Sequence, residues 1–172
     1  TEGFQQCYNA QLAVDGEFQI IVANRLTANS TDKGELCRVL DELDSTVDGV
    51  PECVLADAGY RKEADFLALE SRQIDAYVAL GRDRSKDASG QPLIRKPQDN
   101  PATVRMREKM TSPLGEERYR ERKFISEAPN GWIKQVLGFR QFSVRGLNAA
   151  AGELNLVTMA LNLRRMSRLL AV

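Results

Sequence analysis

Two carboxylates in this 172-residue chain sit where metal or acid–base chemistry could be built. Asp57 closes the short apolar run Cys53-Val54-Leu55-Ala56 and is followed by Ala58-Gly59-Tyr60. That places it outside the carboxyl end of a strand, where α/β sheets present their ligands. Glu127 closes a basic stretch that runs from Arg118 through Arg120, Arg122 and Lys123. Each has a plainer reading. An Asp at a strand end is commonly a turn residue, and an acid among Arg and Lys is commonly a surface ion-pair partner. Spacing alone does not separate these readings. The chain contains no histidine, which excludes Ser-His-Asp and Cys-His catalysis and every histidine-bound metal. Acid, base or metal chemistry therefore falls to carboxylates, Lys, Tyr and Cys.

Composition bounds what can surround these residues. The length suits one ordinary domain, and 42% hydrophobic residues predict a folded chain. No apolar run approaches the roughly 20 residues needed to span a bilayer. There is no signal-peptide pattern and no initiating Met, and Thr1-Glu2-Gly3-Phe4 reads like the interior of a longer chain. Cys7, Cys37 and Cys53 are widely spaced and form no CxxC pair, which predicts reduced, mostly buried thiols rather than a disulfide framework or zinc site. Net charge is zero, yet residues 1–80 carry 15 acids and 6 bases while residues 81–172 carry 9 acids and 18 bases. An acidic half could supply metal ligands while a basic half faces a polyanion, or the halves could pair with each other.

The elements that must position the carboxylates follow from periodicity. Residues 7–15 and 18–26 are β-rich and flank Asp15-Gly16, a hairpin signal. Leu36, Val39, Leu40 and Leu43 recur at helical spacing and predict an amphipathic helix over about 32–45, with cap candidates at Asn29–Asp32. Residues 53–56 read as a buried strand and about 62–72 as a helix with Phe66, Leu67 and Leu69 inward. Residues 74–80 read as another strand. The order is β-β-α-β-α-β. Residues 81–112 are read as a loop or insertion, with a short helix over 102–110. Pro113-Leu114-Gly115 should interrupt the chain, and 116–127 is strongly helical. Pro129 should break that helix, which resumes at Trp132. A long closing helix over 148–171 should bury Leu154, Val157, Leu161 and Leu169.

Several blocks occur in one order: Tyr8-Asn9-Ala10-Gln11-Leu12-Ala13-Val14-Asp15; Leu55-Ala56-Asp57-Ala58-Gly59-Tyr60; Glu127 leading to Gly131-Trp132-Ile133-Lys134; then Gly138-Phe139-Arg140-Gln141-Phe142 and Arg145-Gly146-Leu147. Together with Leu161-Asn162-Leu163 they resemble the DDE transposases of bacterial insertion sequences. The likeness spans nearly the whole chain, so residues 1–172 are read as part of a DDE catalytic domain. It implies an α/β, ribonuclease H-like mixed sheet flanked by helices, incomplete at its N-terminal strand.

The resemblance also implies DNA transposition through metal-dependent strand cleavage and strand transfer. Asp57 and Glu127 would be catalytic metal ligands for Mg²⁺ or Mn²⁺, in a two-metal site completed by an Asp upstream of this chain. Hard oxygen ligands suit Mg²⁺, and two such ions would clamp the attacking and leaving oxygens of an in-line displacement. DNA is the implied partner, a homodimer the implied working state, and a nucleoid-associated place in the bacterial cytoplasm the implied location. The family signature Tyr-x2-Arg-x3-Glu-x6-Lys is matched by Lys134 at +7 from Glu127, with Lys123 in the Arg position. Tyr119 stands one residue off its place. Lys123, Lys134, Arg140 and Arg145 read as phosphate contacts or as a solvated face. Trp132 reads as core or as a base-stacking platform, and Asp15 as a hairpin turn residue. The alternative function is a catalytically incomplete, DNA-binding fragment.

Overall fold

The computed structural model describes residues 7–47, 49–81 and 99–171. Among the described residues, four strands and five main helices follow the expected β-β-α-β-α-β order and then continue as helices. The described residues fall into two compact units. One draws on residues within 7–32, 39–47 and 124–171, and the other on residues within 33–38, 49–81 and 99–123.

The first unit is built on a hairpin. Strand β1 (Asn9–Val14) pairs antiparallel with β2 (Ile21–Thr27), with a register shift at Ala13/Val14. The connection is longer than the two-residue turn that Asp15-Gly16 suggests, and β2 begins at Ile21 rather than Phe18. Asp15 explains the difference. Its backbone N–H donates to the Ile20 carbonyl at 2.8 Å and its carboxylate accepts the Phe18 N–H at 2.5 Å. That closes a wider loop, with Gln19 in the left-handed region at φ 57°. Asp15 is thus a turn residue, as expected.

Helix α5 (Leu147–Leu170) packs on the hairpin. Ile21 is buried with Ile133 and Leu161, and Leu26 with Ala150 and Leu154. Asn162 stitches the two elements together. Its side chain accepts the Ile21 N–H at 2.9 Å and donates to the Ile21 carbonyl at 2.8 Å. A buried backbone pair is satisfied in this way without a third strand. Leu169, expected inside, is instead exposed.

The second unit is a β-α-β arrangement. Strand β3 (Cys53–Ala56) pairs in parallel with β4 (Asp75–Val78). Helix α2 (Glu63–Ser71) connects them and buries Phe66 and Leu69, each 1% exposed. Leu67 stands half-exposed, contrary to expectation, because Asp65, Phe66 and Leu69 take the inward face of α2. Helix α3 (Pro101–Thr111) packs against α2 and β4, with Met106 buried beside the Val78 N–H. It begins with Pro at N1 and an Asn100 side chain that accepts the Thr103 N–H at 2.8 Å. Most of the expected 81–112 loop, residues 82–98, lies outside the described residues.

Helix α1 (Glu35–Thr46) buries Leu36, Val39, Leu40 and Leu43, the four residues its periodicity marks. Helix α4 (Pro113–Gln135) corrects two expectations. Pro113-Leu114-Gly115 does not interrupt the chain but starts the helix. Ser112 caps it, accepting the Gly115 N–H at 3.0 Å. A Cβ on Gly115 would lie 2.0 Å from the Lys109 carbonyl oxygen, so only glycine permits this close passage from α3 to α4. Nor does Pro129 break the helix. Its ring is buried, and the Asn130 side chain donates to the Ser126 carbonyl at 2.9 Å while Gln19 donates to that of Phe124 at 2.8 Å. Burial and side-chain donors on neighbouring carbonyls offset a defect that costs about 3 kcal/mol in an isolated helix.

The thiols are free, but Cys7 and Cys53 are exposed and Cys37 is half-buried, so they are not core residues. β3 is correspondingly less buried than a central strand, with only Ala56 fully covered. No helix among the described residues is long and apolar enough to cross a membrane.

Candidate functional site

Asp57 stands at the carboxyl end of β3, in extended conformation (φ −81°, ψ 179°), and caps the 3-10 turn Ala58–Tyr60. One carboxylate oxygen accepts the Gly59 N–H at 2.8 Å. The other has no partner among the described residues. β3 and β4 are parallel, so the loops leaving them share an edge. A Cβ on Gly81, after β4, would come within 4.0 Å of the Ala58 Cβ. Asp57 is therefore a turn residue with one oxygen to spare, which makes the plain and the functional readings compatible.

A buried ionic group lies at the same edge. The Arg61 guanidinium donates to the Leu80 carbonyl at 3.0 Å and to Asp99 at 3.2 Å, and Arg107 pairs with the second Asp99 oxygen. The Asp99 side chain is 4% exposed. With both oxygens engaged by guanidinium groups it ties the start of α3 to the turn after Asp57. Sequence reasoning passed over Asp99, because nothing in its local pattern reports partners at positions 61 and 107.

Glu127 lies on α4 with its side chain exposed. Among the described residues it makes no ion pair, so the surface-pair reading does not describe it. Helical continuity through Pro129 matters here. Lys123 at −4 and Lys134 at +7 share a face with Glu127 only if the helix is unbroken. Both lysines are exposed and lack an acidic partner among the described residues. Tyr119 lies under the Arg122 guanidinium, 5.4 Å from ring centroid to Cζ. Asp57 belongs to one compact unit and Glu127 to the other.

The remaining candidates are in the first unit. Arg140 is exposed and, among the described residues, bonds only the Gln135 amide oxygen, at 3.0 Å. Arg145 is exposed and has no acidic partner among the described residues. The segment carrying both is held by Ser143, whose N–H and hydroxyl both donate to Glu153, at 2.9 and 2.6 Å. Those bonds hold the Glu153 carboxyl below its ordinary range. Phe139 and Phe142 meet edge to face at 5.2 Å, and Tyr8 meets Phe142 at 5.8 Å. Trp132 packs against the Ile21, Ile133 and Leu161 core and carries the Arg165 guanidinium 5.2 Å from its ring centroid. Trp132 is thus chiefly a core residue.

No group of three or more Cys, Asp or Glu side chains arranged to hold a metal ion occurs among the described residues. The donor chemistry of Asp57 and Glu127, considered singly, does suit a hard cation: anionic oxygens, one of them pre-oriented by a backbone N–H.

The α/β chain thus combines a strand-end carboxylate, an exposed helical glutamate and a basic second half. The family model of the transposase DDE domain matches residues 1–163, and the chain belongs to that family. Its members act in DNA transposition, with DNA as substrate and normally with divalent metal. Curated proteins and solved structures yield no match to the chain.

Proposed function

We propose that this chain forms part of a metal-dependent active site that cleaves DNA at the ends of an insertion sequence and joins them to a target. The observation that carries the reading is Asp57, fixed at the carboxyl end of a parallel strand with one oxygen unengaged, in a chain of the transposase DDE family. Asp57 and Glu127 would hold Mg²⁺ or Mn²⁺, with a further Asp that the resemblance places on a strand ahead of Tyr8. The metal ions, when bound, supply activation of the attacking oxygen and stabilisation of the leaving one. The proposed architecture is ribonuclease H-like.

This chain's own residues orient and neutralise. The Gly59 N–H holds Asp57 in one rotamer, so its second oxygen is pre-aimed. An unbroken α4 presents Lys123, Glu127 and Lys134 along one face. The lysines supply positive charge beside the scissile phosphate, as point charges without the fork geometry of Arg. Arg140 and Arg145 contact the DNA backbone further along, positioning it without reading sequence. A homodimer acting on paired ends, in the bacterial cytoplasm at the nucleoid, completes the reading.

A second reading, DNA binding without chemistry, draws on the lack of a three-carboxylate cluster among the described residues. Calorimetric titration with Mn²⁺ separates the two. The active-site reading expects a saturable site at millimolar metal that weakens in Asp57→Ala. No site, or an unchanged one in that variant, supports the binding module instead.

A further inference from the structure

The C-terminal part of helix α5 and the end of α4 border an open concavity of about 280 Å³. Trp132, Val136 and Leu161 give it an apolar floor, and Arg164, Arg165 and Arg168 stand round it. Arg165 is half-buried. Its guanidinium donates to the Phe18 carbonyl at 2.9 Å and to the Gln19 amide oxygen at 3.3 Å, and stacks 5.2 Å from the Trp132 ring centroid. Those acceptors are neutral, so they fix the guanidinium without cancelling its charge. Arg164 and Arg168 are exposed, four residues apart on one side of the helix, where like charges repel. Among the described residues none of the three pairs with a carboxylate, and the concavity has no acidic lining. A cation near a helix C-terminus offsets the macrodipole, which accounts for Arg168 in the last turn but not for the other two.

We propose that this concavity is a phosphate-binding site that holds the sugar–phosphate backbone of DNA. Guanidinium forks match phosphate oxygens, two N–H groups at a time. Arg165 is already immobilised, so little side-chain freedom is lost when the ligand arrives. The apolar floor suits the sugar carbons beside the phosphate. Three cations round one patch exceed what a single carboxylate requires and fit a chain of phosphates. DNA is the substrate of the family to which the chain belongs.

The site lies apart from the residues proposed for cleavage. A helix turns about 100° per residue, so Trp132 leaves α4 roughly 160° round from Lys134 and roughly 140° round from Glu127. The phosphate held here is therefore not the scissile one, and the arginines of α5 extend the DNA contact to the opposite side of α4. The proposal rests on DNA as the substrate and not on the metal site proposed for Asp57 and Glu127.

Trp132 is the one tryptophan of the chain, so its fluorescence reads the concavity directly. The 172-residue chain is titrated without metal, with a short DNA duplex of arbitrary sequence, with inorganic phosphate and with polyglutamate. The duplex should change the emission saturably, and less tightly as salt rises. Inorganic phosphate should act only at far higher concentration, since a duplex brings several phosphates at once. The double variant Arg164→Gln/Arg168→Gln should bind duplex on the order of tenfold more weakly, with the salt slope reduced by roughly two. Arg164→Lys/Arg168→Lys keeps both charges and should restore the slope, which a variant damaged only in its fold would not. Lys134→Gln, on the proposed cleavage side, should leave the Trp132 response in place. An emission unchanged by duplex overturns the proposal, and so does an undiminished response in the double glutamine variant. A response lost in Lys134→Gln but kept in the double variant would put the DNA on the cleavage side alone, overturning this site while leaving the proposed function standing. Phosphate as effective as duplex, or polyglutamate more so, would overturn the assignment to DNA.

Discussion

The turn that carries Asp57 and the helix that carries Glu127 hold their carboxylates by different means. Asp57 is fixed locally: a strand ends, a 3-10 turn begins, and the carboxylate accepts a backbone N–H two residues on. Its posture depends on about four residues. Glu127 has no such anchor among the described residues, and its direction is set by a 23-residue helix that must stay continuous through a buried Pro129. The first arrangement should tolerate change at a distance, and the second should not. Under the proposed function, chemistry and stability would also be fused at Asp57, which caps the turn and would offer a ligand oxygen, whereas at Glu127 they would be separate.

The largest expected effect lies in the core of the unit that carries Asp57. Phe66→Ala should cost about 3–5 kcal/mol, because Phe66 is 1% exposed on α2, which packs against β4. Phe124→Ala on α4 should change stability by less than about 0.5 kcal/mol, since Phe124 is 74% exposed. Urea melts of both variants check the contrast, and equal losses would mean that α4 is more deeply covered than described.

Next comes the entry to α4. Gly115→Ala should cost about 1–3 kcal/mol, because its methyl group meets the backbone of Lys109 rather than a yielding side chain. If the helix directs Glu127, this variant should also impair DNA cleavage more than its stability loss explains. A variant of full stability would show that the close passage relaxes freely.

At Asp57 itself the two roles can be divided. Asp57→Ala should lose the cap and about 1 kcal/mol, while Asp57→Asn keeps an accepting oxygen and most of that stability. Both should lose metal affinity. Retained Mn²⁺ affinity in Asp57→Asn would reduce Asp57 to a turn residue.

The smallest effect concerns Asp65 in α2. Burial pushes its carboxyl above the ordinary aspartate range, with the Lys62 charge acting in the opposite direction, and its Oδ2 is buried without a hydrogen bond. The folded chain therefore holds this proton more tightly than the unfolded one. The contribution favours folding at low pH and is lost as pH rises from the ordinary value through the raised one. Asp65→Asn should be more stable by about 1 kcal/mol at neutral pH and should flatten that part of the profile. Thermal melts from the acidic range up to neutral pH read both.

Local patterns made much of the fold legible. The α1 stripe, the β-α-β order and the strand-end position of Asp57 all follow from periodicity and punctuation, which are properties of neighbouring residues. What escaped is non-local. The path of α4 through Pro129 depends on ring burial and on side-chain donors at Gln19 and Asn130. The Asp99 pairs join positions 38 and 8 residues apart. Leu67 and Leu169 were misplaced because α2 and α5 carry apolar residues on more than one face, and only packing chooses between them. The candidate site was legible through resemblance rather than spacing, since Asp57 and Glu127 fall in separate stretches with no shared local signature.

The most direct measurement is Mg²⁺- or Mn²⁺-dependent cleavage of DNA carrying the element ends by the native transposase and by its Glu127→Gln variant. The account predicts that the variant binds DNA with unchanged affinity and cleaves at background, down by at least about a hundredfold. Undiminished cleavage by Glu127→Gln would contradict it.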